Sequence, residues 1–123
     1  MEKMISYLKT TTTKGKKKSK TAEEERWMDK VAQIGCIICD NNLVLLHHIT
    51  TLRLGFGRKS SNFAVLPLCH NCHDAKIKGQ SIHESVDDWE KKNGTQIEWL
   101  RKVYSWLGES SERCEKVINL EIY

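Results

Sequence analysis

Two short cysteine pairs constrain this chain more than any other feature. Cys36-Ile-Ile-Cys39 and Cys69-His-Asn-Cys72 share the Cys-x-x-Cys spacing and are separated by a few tens of residues. Each pair suits a tight knuckle that aims two thiolates at one ion, and two knuckles complete a tetrahedral zinc site. The chain has 123 residues, of which 39% are hydrophobic, so its core is small. A structural Zn2+ is an effective staple for such a core, because its apparent binding energy of roughly 10–16 kcal/mol is coupled to folding. Close cysteine pairs without a secretory leader read as metal ligands in a reducing compartment rather than as disulfides. No apolar run reaches the ~20 residues of a membrane span. Cys114 lies outside both knuckles and reads as a bystander.

The histidines exceed what a structural zinc site needs. His47-His48 lies between the knuckles, and His73 directly follows the last cysteine. This surplus points to a second divalent-metal site that performs chemistry. Leu43 to Leu46 is a short apolar run read as a strand, with His47-His48-Ile49 at its end. Thr50 to Ser61 holds Gly55-Phe-Gly57 with Arg53, Arg58 and Lys59, and reads as a basic loop beside a phosphate cleft or as a solvated rim. Asn62 to Leu68 is the returning strand, with Pro67 at an edge. Cys69 to Lys78 reads as a short helix stopped by Gly79. His83, just beyond it, reads either as a third ligand or as a histidine bonded to a carbonyl. For His47 and His48 the bland alternative is one core and one solvated side chain. His70 is expected to be exposed.

The flanks are simpler. Seven lysines against Glu2 give residues 1–20 a charge of +6, and the net +4 of the chain leaves −2 on the other 103 residues. The low-complexity stretch with Lys14, Lys16, Lys17, Lys18 and Lys20 reads as a disordered basic arm that grips phosphates. Thr21-Ala-Glu-Glu24 predicts a capping box, with Trp27, Met28, Val31 and Ile34 at helical spacing and a stop at Gly35. Ser81 to Glu84 and Thr95 to Glu98 predict two more boxes, opening helices that carry Trp89 and then Trp99, Leu100, Val103 and Trp106 as core. Val117 to Tyr123 reads as an edge strand or a partner contact.

The sequence of a strand with His-His, an Asn before the return strand, and a helix with His resembles the HNH endonucleases of the ββα-metal class. The resemblance implies that His47 is a metal ligand, His48 the general base, Asn62 the residue that holds the base-bearing loop, and His73 a second ligand, with His83 as the third. A narrower likeness lies in His47-His-Ile-Thr50, Gly55-Phe-Gly-Arg58, Ser61-Asn-Phe63, Pro67-Leu-Cys69, Ile82-His83 and Trp89-Glu90. These runs resemble the phage recombination-enhancement nuclease (Ref) family, whose members cut DNA held by the host RecA filament and carry a basic N-terminal arm. The arm is shorter here.

The expected architecture is α+β: a basic arm over 1–20, a zinc-stapled ββα-metal domain over 21–108 with one N-terminal helix and two covering C-terminal helices, and an extension over 109–123. The expected function is metal-dependent DNA cleavage in phage-linked recombination, with Mg2+ or another divalent cation as the catalytic ion, in the cytoplasm of a bacterial host. DNA and the RecA filament are the expected partners, and no membrane is involved. The alternatives are a non-catalytic zinc-knuckle DNA-binding module, and a structural adaptor that uses its C-terminal strand.

Overall fold

The computed structural model describes residues 20–50 and 60–121. Among them lie five helices and two strands. In order these are α1 (Ala22–Ala32), β1 (Leu45–His48), β2 (Val65–Leu68), α2 (His70–His73), α3 (Val86–Asn93), α4 (Gln96–Trp106) and α5 (Ser111–Ile118). The basic arm up to residue 19, the loop over 51–59 and residues 122–123 lie outside the described residues.

Local chemistry explains most of the boundaries. Thr21 and Glu24 exchange hydrogen bonds as a capping box at the start of α1, and Thr95 and Glu98 do the same for α4. Gly35, at φ +87°, then turns the chain from α1 into the first cysteine knuckle. Both strands begin later than the apolar runs suggest. The Asn41 side chain takes the Leu43 N–H at 2.9 Å, leaving Leu43 62% exposed ahead of β1. On the return side, Ser61 Oγ takes the Phe63 N–H and Ala64 N–H bonds to Ser61 O, so a turn occupies this stretch before β2.

The strands pair antiparallel, with His47 opposite Leu66, His48 opposite Val65 and Pro67 opposite Leu46. Pro67 is tolerated because, among the described residues, the sheet has only two strands, and its carbonyl accepts the Ile37 N–H from the first knuckle at 3.2 Å. All four residues of β2 are buried. Helices α1, α4 and α5 cover one part of the core, where Trp27 packs against Tyr104 with ring centroids 4.5 Å apart. Burial raises the Tyr104 hydroxyl pKa, and the un-ionised phenol donates to Phe63 O at 2.7 Å. A second part gathers Ala32, Val44, Leu68, Ile82 and Trp89 around Cys36, Cys69 and Cys72.

Four expectations need correction. The segment after Cys69 makes one helical turn only. Asp74 and Ala75 N–H both bond to His70 O, and Lys76 adopts φ +64°, which ends the helix well before Gly79. Ser81 caps nothing, because its buried hydroxyl donates to Asn71 O at 2.6 Å and accepts from Ile77 N. Ser85 caps α3 instead, accepting from Asp88 N. Trp106 is 53% exposed rather than core. Of the stretch from Val117 to Tyr123 read as an edge strand or partner contact, Val117 and Ile118 instead close α5, and residues 119–121 form no strand. Ser110 caps α5, and Cys114 and Val117 are buried on the main core, so three helices rather than two follow α2. Burial pushes the Cys114 thiol up to about 11, in keeping with an inert packing role.

Candidate metal centres

The four knuckle cysteines converge. Their Sγ atoms all lie within 4.8 Å of one another, and none forms a disulfide. Sulfurs around one zinc at a bond length near 2.3 Å sit roughly 3.8 Å apart in a tetrahedron. Cys39 Sγ and Cys69 Sγ, at 3.4 Å, are already close to that spacing. The first knuckle is closed by Cys36 N–H to Asn41 O and by Asp40 N–H to Cys36 O, with Asp40 at φ +64°. The second sits on α2, where Cys72 N–H bonds to Cys69 O. Burial pushes the Cys72 thiol far above its ordinary range, and an ion among the thiolates is the natural compensation for that burial. Gln80 Nε2 donates to Cys72 Sγ at 3.5 Å, a support with no signature in the sequence. These residues can hold a structural zinc ion.

A second group forms from three of the surplus histidines. His47 on β1, His73 at the end of α2 and His83 beyond it each bring one ring nitrogen to within 4.8 Å of the others. The ring centroids are 5.1 Å apart for His47–His73, 5.3 Å for His47–His83 and 4.4 Å for His73–His83. His73 Nε2 and His83 Nε2 lie 3.0 Å apart. Backbone pairing produces this proximity. Ile82 N–H bonds to Cys72 O and His83 N–H to His73 O, which lays the 81–83 segment along the end of α2. One chain turn therefore builds both centres, with Cys72 on one and its neighbour His73 on the other.

The electrostatics keep the two inner rings neutral. Burial pulls the His47 pKa down to about 3, against the opposing effect of its hydrogen bond to Gln96. Burial and then the neighbouring His83 also lower that of His73. His73 Nδ1 is buried without a hydrogen-bond partner, with Asp74 Oδ2 3.7 Å away. Unprotonated ring nitrogens are the form in which imidazoles bind metals, so the three histidines could hold a metal ion.

His48 stands beside this group but not in it. It is half-buried, and its Nε2 lies 2.8 Å from Asn62 Oδ1. His70 is exposed and pairs with Asp74 at 2.9 Å. Lys20 is exposed, one residue before the N-cap of α1. Lys14, Lys16, Lys17, Lys18, Arg53, Arg58 and Lys59 lie outside the described residues. No helix among the described residues is long and apolar enough to cross a membrane.

A family model described as "Protein of unknown function (DUF968)" matches residues 11–107. The chain belongs to the DUF968 family. The DUF968 match spans both cysteine knuckles, the three clustered histidines, His48 and Asn62, and it ends as α4 ends, so α5 lies outside it. Neither a curated protein nor a solved structure gives a significant match.

Proposed function

We propose that this DUF968 chain is a divalent-metal-dependent endonuclease of the HNH type that hydrolyses DNA phosphodiester bonds. The observation that carries the reading is the convergence of His47, His73 and His83 on one point, with His48 next in the chain and tied to Asn62. Successive strand residues face opposite ways, so His47 is buried as a ligand while its half-buried neighbour His48 keeps contact with water. A divalent cation held by His47, His73 and His83 would supply the charge that orients the scissile phosphate and stabilises the leaving oxygen. Asn62 Oδ1 accepts from His48 Nε2–H, which places the lone pair of the neutral ring on Nδ1. That nitrogen takes the proton of the attacking water. A zinc ion held by Cys36, Cys39, Cys69 and Cys72 would tie the first knuckle to the start of α2, the helix that ends in His73.

The narrower form of the proposal places the substrate on a RecA filament in phage-linked recombination, supported by the likeness of the runs around His47, Gly55 and Pro67 to the recombination-enhancement nucleases. The lysines of residues 1–20 then hold phosphates. The test is cleavage of single-stranded, duplex and RecA-coated DNA with Mg2+ or Mn2+, comparing wild type with His48→Ala. Cutting by wild type, slower by roughly 10²–10⁴-fold in the variant at unchanged zinc content, is expected. Cutting that ignores RecA removes the narrower form. A folded, zinc-loaded protein that cuts nothing sinks the nuclease and leaves a zinc-knuckle binding module.

A further inference from the structure

Gln96 is the first residue of α4, wholly buried and 49 positions from His47 in the chain. Its backbone N–H donates to Glu90 Oε2 at 2.8 Å, which fixes the start of the helix against the end of α3. Its side chain makes three contacts. Thr50 N–H lies 3.0 Å from Oε1, Nε2 donates to Thr50 Oγ1 at 2.9 Å, and His47 Nε2 lies 2.9 Å from Oε1. A backbone N–H can only donate, so the amide atom facing Thr50 N is the oxygen, and the amide orientation follows from chemistry alone. An amide oxygen can only accept. The His47 nitrogen facing it therefore carries the hydrogen, and the neutral ring has its lone pair on Nδ1.

We infer that Gln96 is a positioning residue that locks His47 in its Nε2–H tautomer and so makes Nδ1 the atom offered to the cation. The same side chain clamps Thr50, two residues past the end of β1. The inference rests on the metal-binding reading of the three histidines, but its first readout needs neither cation nor DNA.

Long-range 1H–15N correlation spectra of the zinc-loaded full chain, without added catalytic ion, report which His47 nitrogen is protonated. A protonated Nε2 is expected, and a protonated Nδ1 overturns the inference. Calorimetric titration with Mn2+ follows. Gln96→Leu removes the acceptor and should weaken binding by roughly 10–100-fold, whereas Gln96→Glu, which can accept from both Thr50 N–H and His47 Nε2–H, should restore most of it. A folded Gln96→Leu variant that binds Mn2+ like wild type overturns the role, as does a wild type that binds none. If Gln96→Leu fails to fold, the wild-type tautomer and Gln96→Glu decide. A protein that follows this pattern but cuts no DNA keeps Gln96 and loses the nuclease; DNA cutting with Mn2+ affinity insensitive to Gln96 does the reverse.

Discussion

Burying His47 makes a quantitative prediction about acid sensitivity. The unfolded ring binds its proton near pH 6.5, and the buried ring only near pH 3. Between those values the unfolded state holds one proton more than the native state, so stability falls as the pH drops through 6.5 and stops falling near 3. Each pH unit inside that window is worth at most about 1.4 kcal/mol. Going from pH 7 to pH 5 should therefore take roughly 2 kcal/mol from the native state through His47 alone. His47→Gln removes the titration but retains an amide donor within reach of Gln96 Oε1, so the comparison isolates the proton. Urea unfolding of both proteins at the two pH values, each with one zinc equivalent and no other divalent ion, measures the difference; acid effects on the cysteine site cancel between them. The wild type should lose roughly 2 kcal/mol more than His47→Gln. Parallel pH dependences would refute the reasoning, because they would mean that the native ring titrates as if in water.

Cys72→Ser should abolish stoichiometric zinc by mass spectrometry and broaden or erase the unfolding transition, since the buried second knuckle loses its ion. Leu100 of α4, fully buried in the main core, should cost about 2–5 kcal/mol when cut to Ala, read by denaturant midpoint. Tyr104→Phe strands the buried Phe63 carbonyl and should cost about 1–3 kcal/mol by the same assay. Arg101→Ala breaks a 2.7 Å pair with Glu115 that is open to solvent, and the melting temperature should not move measurably. Removing residues 1–20 should weaken DNA binding and flatten its dependence on salt; an unchanged salt slope would take the lysines out of the interface.

Much of this protein can be read residue by residue. The two Cys-x-x-Cys spacings predict the four-sulfur group because a knuckle is a local turn, and Thr21–Glu24 and Thr95–Glu98 predict helix starts because a capping box spans one turn. The same local rule misleads at Ser81, whose hydroxyl is taken by Asn71 and Ile77, and at Leu43, whose N–H is taken by Asn41. Trp106 has core spacing on α4 yet faces solvent, and Val117, at the head of the stretch read as a strand, packs into the core from the end of α5.

The sequence by itself determined the donors: four cysteines in two knuckles, a His-His pair, a histidine after the last cysteine, and helix starts marked by their own side chains. Tertiary structure decided which histidines meet and which nitrogen each presents. His83 joins the group only because its N–H bonds to His73 O, and His48 meets Asn62 only because β1 and β2 pair antiparallel with His48 opposite Val65. Gln96 had no sequence signal at all, since glutamine at the first position of a helix is ordinary. Its role exists because α4 docks against β1 and sets one buried amide between Thr50 and His47. Spacing along a chain specifies contacts within a turn or two; contacts between distant segments follow from the packing that buries them together.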